Sequence, residues 1–289
     1  SDDFLLNAPG VLDANGVYTD DNGIITNCTA MNSQSVGSTL SFVLSACGYD
    51  VWLGNNRGNR YSDRHILLNP NTEYSQIIRP FIALAPVAYV GAIESIILRL
   101  GALLEPLLSS TNIPFFGVSS NKLRTIDRYF GHFFCGNTFF DQFCEIFVFL
   151  LCGFDFPNTN VTRIPAIIGH FPDGTSSLIL AHLAQRVNNK NFAYYDYGNA
   201  KNARLYGQSN PPSYNLAQIT SRNIALMTGV NDYLADPTDV DILRSQLTVP
   251  IYDDYVIPYT LWNHADYLIG INAGKFMNSR ILKILSDFN

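Results

Sequence analysis

At 289 residues the chain is long enough to bury one large core with room for an inserted subdomain. Only 15% of its residues are charged, against 47% hydrophobic and 13% aromatic, and the formal net charge is -6. That balance argues against nucleic acid as a partner, because phosphate neutralisation needs clustered Lys and Arg, and it leaves an ordinary solvated acidic surface. No run reaches the ~18 apolar residues of a spanning helix. The greasiest pieces, 93–108 and 146–154, are short or broken by Arg99, Glu105, Pro106 and Gly153. The chain opens at Ser1 with neither Met nor a basic-plus-apolar leader, and so reads as a mature or trimmed product. Without Cys/His metal spacing, a Walker loop or GxGxxG, no metal and no cofactor is expected.

In chain order, residues 3–7 (DFLLN) predict a short apolar strand and 8–13 a turn. Residues 13–36, rich in Asn, Asp, Thr and Gly, read as a loop. Residues 38–46 predict a helix that stops before Gly48, then 49–53 (YDVWL) a buried strand, then 54–62 a polar loop. Apolar helices follow at 92–108, 139–151 and 175–187, whose stripes are more often core than ligand surface.

The informative stretch comes late. Residues 223–228 predict a strand, followed by a loop carrying Asp232, a helix beginning near Pro237, a strand at 254–258 and a loop carrying His264. An acid after one strand and a histidine after the next is the late half of a Ser, Asp/Glu, His order. The carboxylate would fix the imidazole tautomer, and the imidazole would take a proton from a nucleophile. Alone, Asp232 would serve equally as a helix-start residue, although Asp236, directly before Pro237, fits that cap better. Alone, His264 would more often be a core or surface histidine. His65, His132, His170 and His182 read as structural or solvated. No nucleophile is found: GxSxG is absent, 117–121 (GVSSN) lacks the second Gly, and 169–174 (GHFPDG) has no Ser at the third place.

The runs GYDVWLGNNRGNRYSDRH (48–65), ALAPVAYVG (83–91), CGFD (152–155), GHFPDGTSS (169–177), YDYGNAKNARLYGQSNPPSYNL (195–216), GVNDYLADP (229–237) and NHADYL (263–268) together resemble the acid lipase family, the gastric and lysosomal type of α/β-hydrolase, most closely its insect members. The resemblance covers nearly the whole chain. It implies a mostly parallel α/β-hydrolase-type sheet with an inserted helical cap, divided as core 1–88, cap 89–210 and core 211–289. It implies catalytic roles for Asp232 and His264, and it sets Val11 where a backbone N–H contributes to the oxyanion hole. It implies a Cys135–Cys144 disulfide with Cys152 left as a buried thiol; a second bridge, Cys28 to Cys47, stays open, and five cysteines leave one unpaired. With sequons at Asn27 and Asn160, these features point to a secreted or lysosomal glycoprotein.

The resemblance also exposes a gap. The family carries a strand-turn-helix unit bearing GHSxGT between the NRGN loop and ALAPVA, whereas here 61–70 run almost directly into 77–84. The connection has room for one crossover, not for two and the strand between them. The expected sheet is therefore incomplete, with 3–7 pairing beside 79–85 or another chain filling in as an oligomer. The leading expectation is a non-catalytic homologue that binds an apolar acyl lipid under its cap, with the cap touching a lipid interface. The alternatives are a triacylglycerol or sterol ester lipase whose nucleophile segment is missing from this chain, and an esterase with an unrecognised serine.

Overall fold

The computed structural model describes residues 10–29, 35–51, 79–110, 114–115, 141–164, 167 and 175–288. The predicted strand 3–7, the Arg57 loop, His65, His132, Cys135, His170 and the 169–174 motif lie outside them.

The chain begins with an antiparallel hairpin, β1 (Val11–Leu12) against β2 (Tyr18–Thr19), followed by α1 (Leu40–Ala46). The Cys28–Cys47 disulfide ties the hairpin region to the end of α1. Tyr18 is fully buried here and packs edge-on against Phe42. β3 (Phe81–Leu84) leads into α2 (Ile96–Ala102) and α3 (Glu105–Ser110). A two-residue strand, β4 (Pro114–Phe115), pairs antiparallel with β5 (Thr175–Ser176), and between them runs α4 (Asp141–Cys152). Next come α5 (Ser177–Asn189) and α6 (Asn199–Tyr206). The chain then alternates: β6 (Ile224–Thr228), α7 (Pro237–Gln246), β7 (Asp253–Val256), α8 (Asp266–Ile269) and α9 (Ser279–Ser286).

The main sheet is parallel, in the order β3-β6-β7, with Ala83 opposite Leu226 and Leu226 opposite Asp254. The fold class is therefore α/β. β6 (IALMT) is buried at all five positions, as expected of a central parallel strand covered on both faces. β7 alternates between half-buried and exposed, the pattern of an outer strand. Two arginines pin it. Arg244 reaches Asp254 through Nε and Nη2 at 2.9–3.1 Å, and Arg280 bridges Asp253. The fork geometry makes both contacts bidentate.

α7 starts as its sequence dictates, with Pro237 in the first turn and the Asp236 carboxylate accepting from Thr238 N–H at 2.8 Å. α9 joins two clusters: Ile281 and Ile284 pack with Met227, Ile257 and Trp262, while Leu282 packs with Tyr18, Val36 and Val43. α2, α3 and α5 form a helical layer in which Gln185 donates to Glu105 and Asn188 to the Ala102 carbonyl. The Asp239 carboxylate fastens the segment before α2 to the core by accepting from Gly91 N–H and Ala92 N–H.

The strand expected at 49–53 is not formed over residues 49–51, where Asp50 is exposed, and residues 52–53 lie outside the described residues. Local β-propensity alone does not decide a strand. The helix expected over 92–108 is two helices, broken at Leu103–Leu104. No helix among the described residues is long and apolar enough to cross a membrane.

Candidate active site

Asp232 and His264 lie on the loops that leave the carboxyl ends of β6 and β7, where open parallel sheets place their ligand-handling residues. His264 Nδ1 is 3.1 Å and 3.0 Å from the two Asp232 carboxylate oxygens. An ionised carboxylate only accepts, so that contact places the proton on Nδ1 and leaves the Nε2 lone pair of a neutral ring available as a base. The Asp232 side chain is wholly buried while that of His264 keeps 29% exposure, so the acid is the anchor and the ring the working end. Asp232 is itself held by its own loop, its Oδ1 accepting from Leu234 N–H at 2.9 Å and Ala235 N–H at 2.8 Å.

What sets the spacing of these two loops is a short stretch of backbone just past α4. The Cys152 carbonyl accepts from Tyr233 N–H and from His264 N–H. The Gly153 carbonyl accepts from Asn263 Nδ2, and the Phe154 carbonyl from Asn231 Nδ2, which also reaches the Leu261 carbonyl. Three successive carbonyls thus staple the acid loop to the histidine loop. Gly153 is required there: its φ is +110°, and a Cβ would sit 2.2 Å from the Asn231 carbonyl oxygen.

A second layer lies beneath. Asp155, Asn158 and Asp266 are completely buried. Asp266 accepts from Asn263 N–H at 2.7 Å and from Asn158 Nδ2 at 2.9 Å, while Asp155 accepts from Asn158 N–H and the Tyr259 hydroxyl. Burial pushes the Asp266 carboxyl up to about 8, with Asp155 adding to the shift, and burial also raises Asp155. The Cys152 thiol is buried and pushed up to about 12, first by burial and then by the Asp232 and Asp266 carboxylates, which makes it inert as a nucleophile.

Among the described residues, no hydroxyl or thiol hydrogen-bonds to the His264 ring, and no group of side chains could hold a metal ion. Val11 stands in the β1–β2 hairpin opposite Thr19 with 67% exposure, and no hydrogen bond among the described residues joins it to the Asp232–His264 pair. Asn27 is exposed and accepts at Oδ1 from the Thr29 hydroxyl; Asn160 is half-buried at the start of a short 3-10 turn. Cys144 is disulfide-bonded, while Cys135, its expected partner, lies outside the described residues. His182 bonds the Ala193 carbonyl, far in sequence from the pair. Asn231, Asn263, Asn158, Asp155 and Asp266 were not singled out by sequence reasoning. The available signal was the clustering of Asp155, Asn231, Asn263 and Asp266 inside the CGFD, GVND and NHAD blocks; Asn158 falls outside all three.

No family model matches the chain. It is similar to gastric triacylglycerol lipase of Mus musculus, at 28% identity over 322 residues, spanning 92% of this chain and 79% of that protein. It is similar to lysosomal acid lipase/cholesteryl ester hydrolase of Homo sapiens, at 27% identity over 334 residues, spanning 97% and 80%. Lipase member J of Homo sapiens matches at 28% over 92% of this chain and 85% of its own length. The 322 aligned positions outnumber the residues this chain contributes, 92% of 289, by more than fifty, so that many positions of the mouse protein have no counterpart here.

Proposed function

Since this chain belongs to the acid lipase family, whose gastric and lysosomal members it matches over most of its length, we propose that it serves lipid metabolism as a non-hydrolysing homologue that binds an apolar acyl lipid beneath its helical layer. One observation carries this reading: a hydrogen-bonded Asp232–His264 pair in a chain that contains no GxSxG and, among the described residues, no hydroxyl bonded to the ring. A base without its nucleophile loses several orders of magnitude in rate. In this reading Asp232 and His264 occupy the acid and base positions, Val11 the place of an oxyanion donor, and residues 89–210 the cap.

Support for the lipid comes from exposed leucines on one helical layer: Leu100, Leu103, Leu104 and Leu107 on and between α2 and α3 are all more than half exposed. A contiguous apolar patch of this kind marks an interaction surface. The setting is secreted or lysosomal, in keeping with relatives named for those places and with the Cys28–Cys47 disulfide.

The test has two arms. A fluorophosphonate probe is expected to leave the protein unlabelled, and organic extraction of the purified protein is expected to release fatty acyl lipid. Labelling would instead identify an active serine ester hydrolase; the absence of both lipid and lipid uptake would reject the binding reading. A second reading, a triacylglycerol or sterol ester lipase whose nucleophile segment is missing from this chain, is favoured by the unmatched positions of the mouse relative. A transcript that reads without interruption across residues 69–80 rejects it.

A further inference from the structure

The residues directly before the two members of the pair are both asparagines, Asn231 before Asp232 and Asn263 before His264. Both send their amide nitrogens to the same strip of backbone. Asn263 Nδ2 donates to the Gly153 carbonyl at 2.8 Å. Asn231 Nδ2 donates to the next carbonyl, that of Phe154, at 2.9 Å, and crosses to the Leu261 carbonyl of the histidine loop at 2.8 Å. Each nitrogen faces carbonyl oxygens, so turning either amide over would set oxygen against oxygen.

Asn263 is fully buried, and its other end is used as well. Its Oδ1 accepts from Ala265 N–H at 2.8 Å and from Asp266 N–H at 3.1 Å, while Asp266 Oδ2 accepts from Asn263 N–H at 2.7 Å. This is the reciprocal pattern of a capping box, and His264 lies inside it. The two loops must hold the His264–Asp232 contact at 3.0–3.1 Å, and such bonds weaken steeply once bent. An amide supplies donors without charge, whereas Lys or Arg in either place would compete with the ring for the Asp232 carboxylate.

We infer that Asn231 and Asn263 are positioning residues, which together hold the His264 ring in the tautomer with its proton on Nδ1, facing Asp232, and with Nε2 bare. Neither side chain bonds the ring; both act through the 153–154 carbonyls on the loops that carry the pair. This holds whether or not the site hydrolyses anything, so its failure would leave the lipid-binding reading untouched.

The test reads the tautomer itself. In the full chain with isotope-labelled histidine, long-range proton–nitrogen correlation spectra distinguish a protonated from a bare ring nitrogen. His264→Gln identifies the His264 signals among those of the five histidines. At about pH 8, above the ordinary imidazole range, the parent is expected to show Nδ1 protonated and Nε2 bare. Asn231→Ala, at a half-buried position, is expected to keep the circular dichroism of the parent while both nitrogens move toward the mixed values of free histidine. Asn263→Ser keeps an acceptor for Ala265 and Asp266 N–H but loses the donor to Gly153, and is expected to move them the same way; it decides the matter should Asn231→Ala fail to fold. Amides with a purely structural role would lower the unfolding temperature and leave the tautomer alone. A folded variant that retains the nitrogen pattern of the parent would therefore overturn the proposal, and so would a parent with its proton on Nε2.

Discussion

At the scale of single residues, the candidate site is a set of side chains each doing two jobs. Asp232 both orients the His264 ring and satisfies two amides of its own loop. Its removal should therefore cost stability even in a protein that hydrolyses nothing. Asp232→Ala leaves those amides buried and unpaired and is expected to destabilise by about 2–4 kcal/mol in urea unfolding. Asp232→Asn keeps an acceptor for them and should cost less than half of that. A carboxylate kept only for a lost reaction would show no such difference. Gly153 admits no side chain for two separate reasons, its positive φ and the Asn231 carbonyl in the space a Cβ would take. Gly153→Ala is expected to cost about 2–4 kcal/mol, from backbone strain and displacement of the acid loop. A midpoint of denaturation within error of the parent would show that the loops are not stapled as described.

At the scale of elements, the late strands and the helix between them were legible in sequence because their signals are local. The apolar run of β6, the Asp236-Pro237 start of α7 and the loop acid and histidine each fall within a few residues of the expected place. The layer beneath the site was not legible. Asn158 and Asp266 stand 108 residues apart, and no periodicity or turn signal announces a bond across that distance. The 49–53 stretch misled for a related reason: a strand depends on its neighbour as well as on its own propensity, and residues 49–51 form none. The exposed face of α2 and α3 carries its own expectation. If it meets lipid, Leu103→Asp with Leu107→Asp should weaken partitioning onto a triacylglycerol emulsion at least tenfold, since each leucine buried contributes about 1.5–3 kcal/mol. Partitioning that survives both changes would move the lipid contact elsewhere.

At the scale of the whole molecule, the sheet is asymmetric. β6 is flanked on both sides, whereas β3 has β6 on one side, no strand on the other among the described residues, and Phe81 half exposed at its start. This is the side on which the family resemblance sets the missing strand-turn-helix unit. An uncovered parallel edge attracts other chains. Sedimentation velocity should accordingly show association that grows with concentration, and Phe81→Lys should suppress it; a strictly monomeric profile for the parent chain would mean the edge is already covered. The carbonyl staple at 152–154 has a consequence of a different kind. Because main-chain oxygens keep the acid and histidine in register, the relay is self-supporting and owes nothing to a serine for its shape. A pair held in this way keeps its geometry with or without a hydroxyl beside it, so selection for a durable fold alone is enough to preserve it.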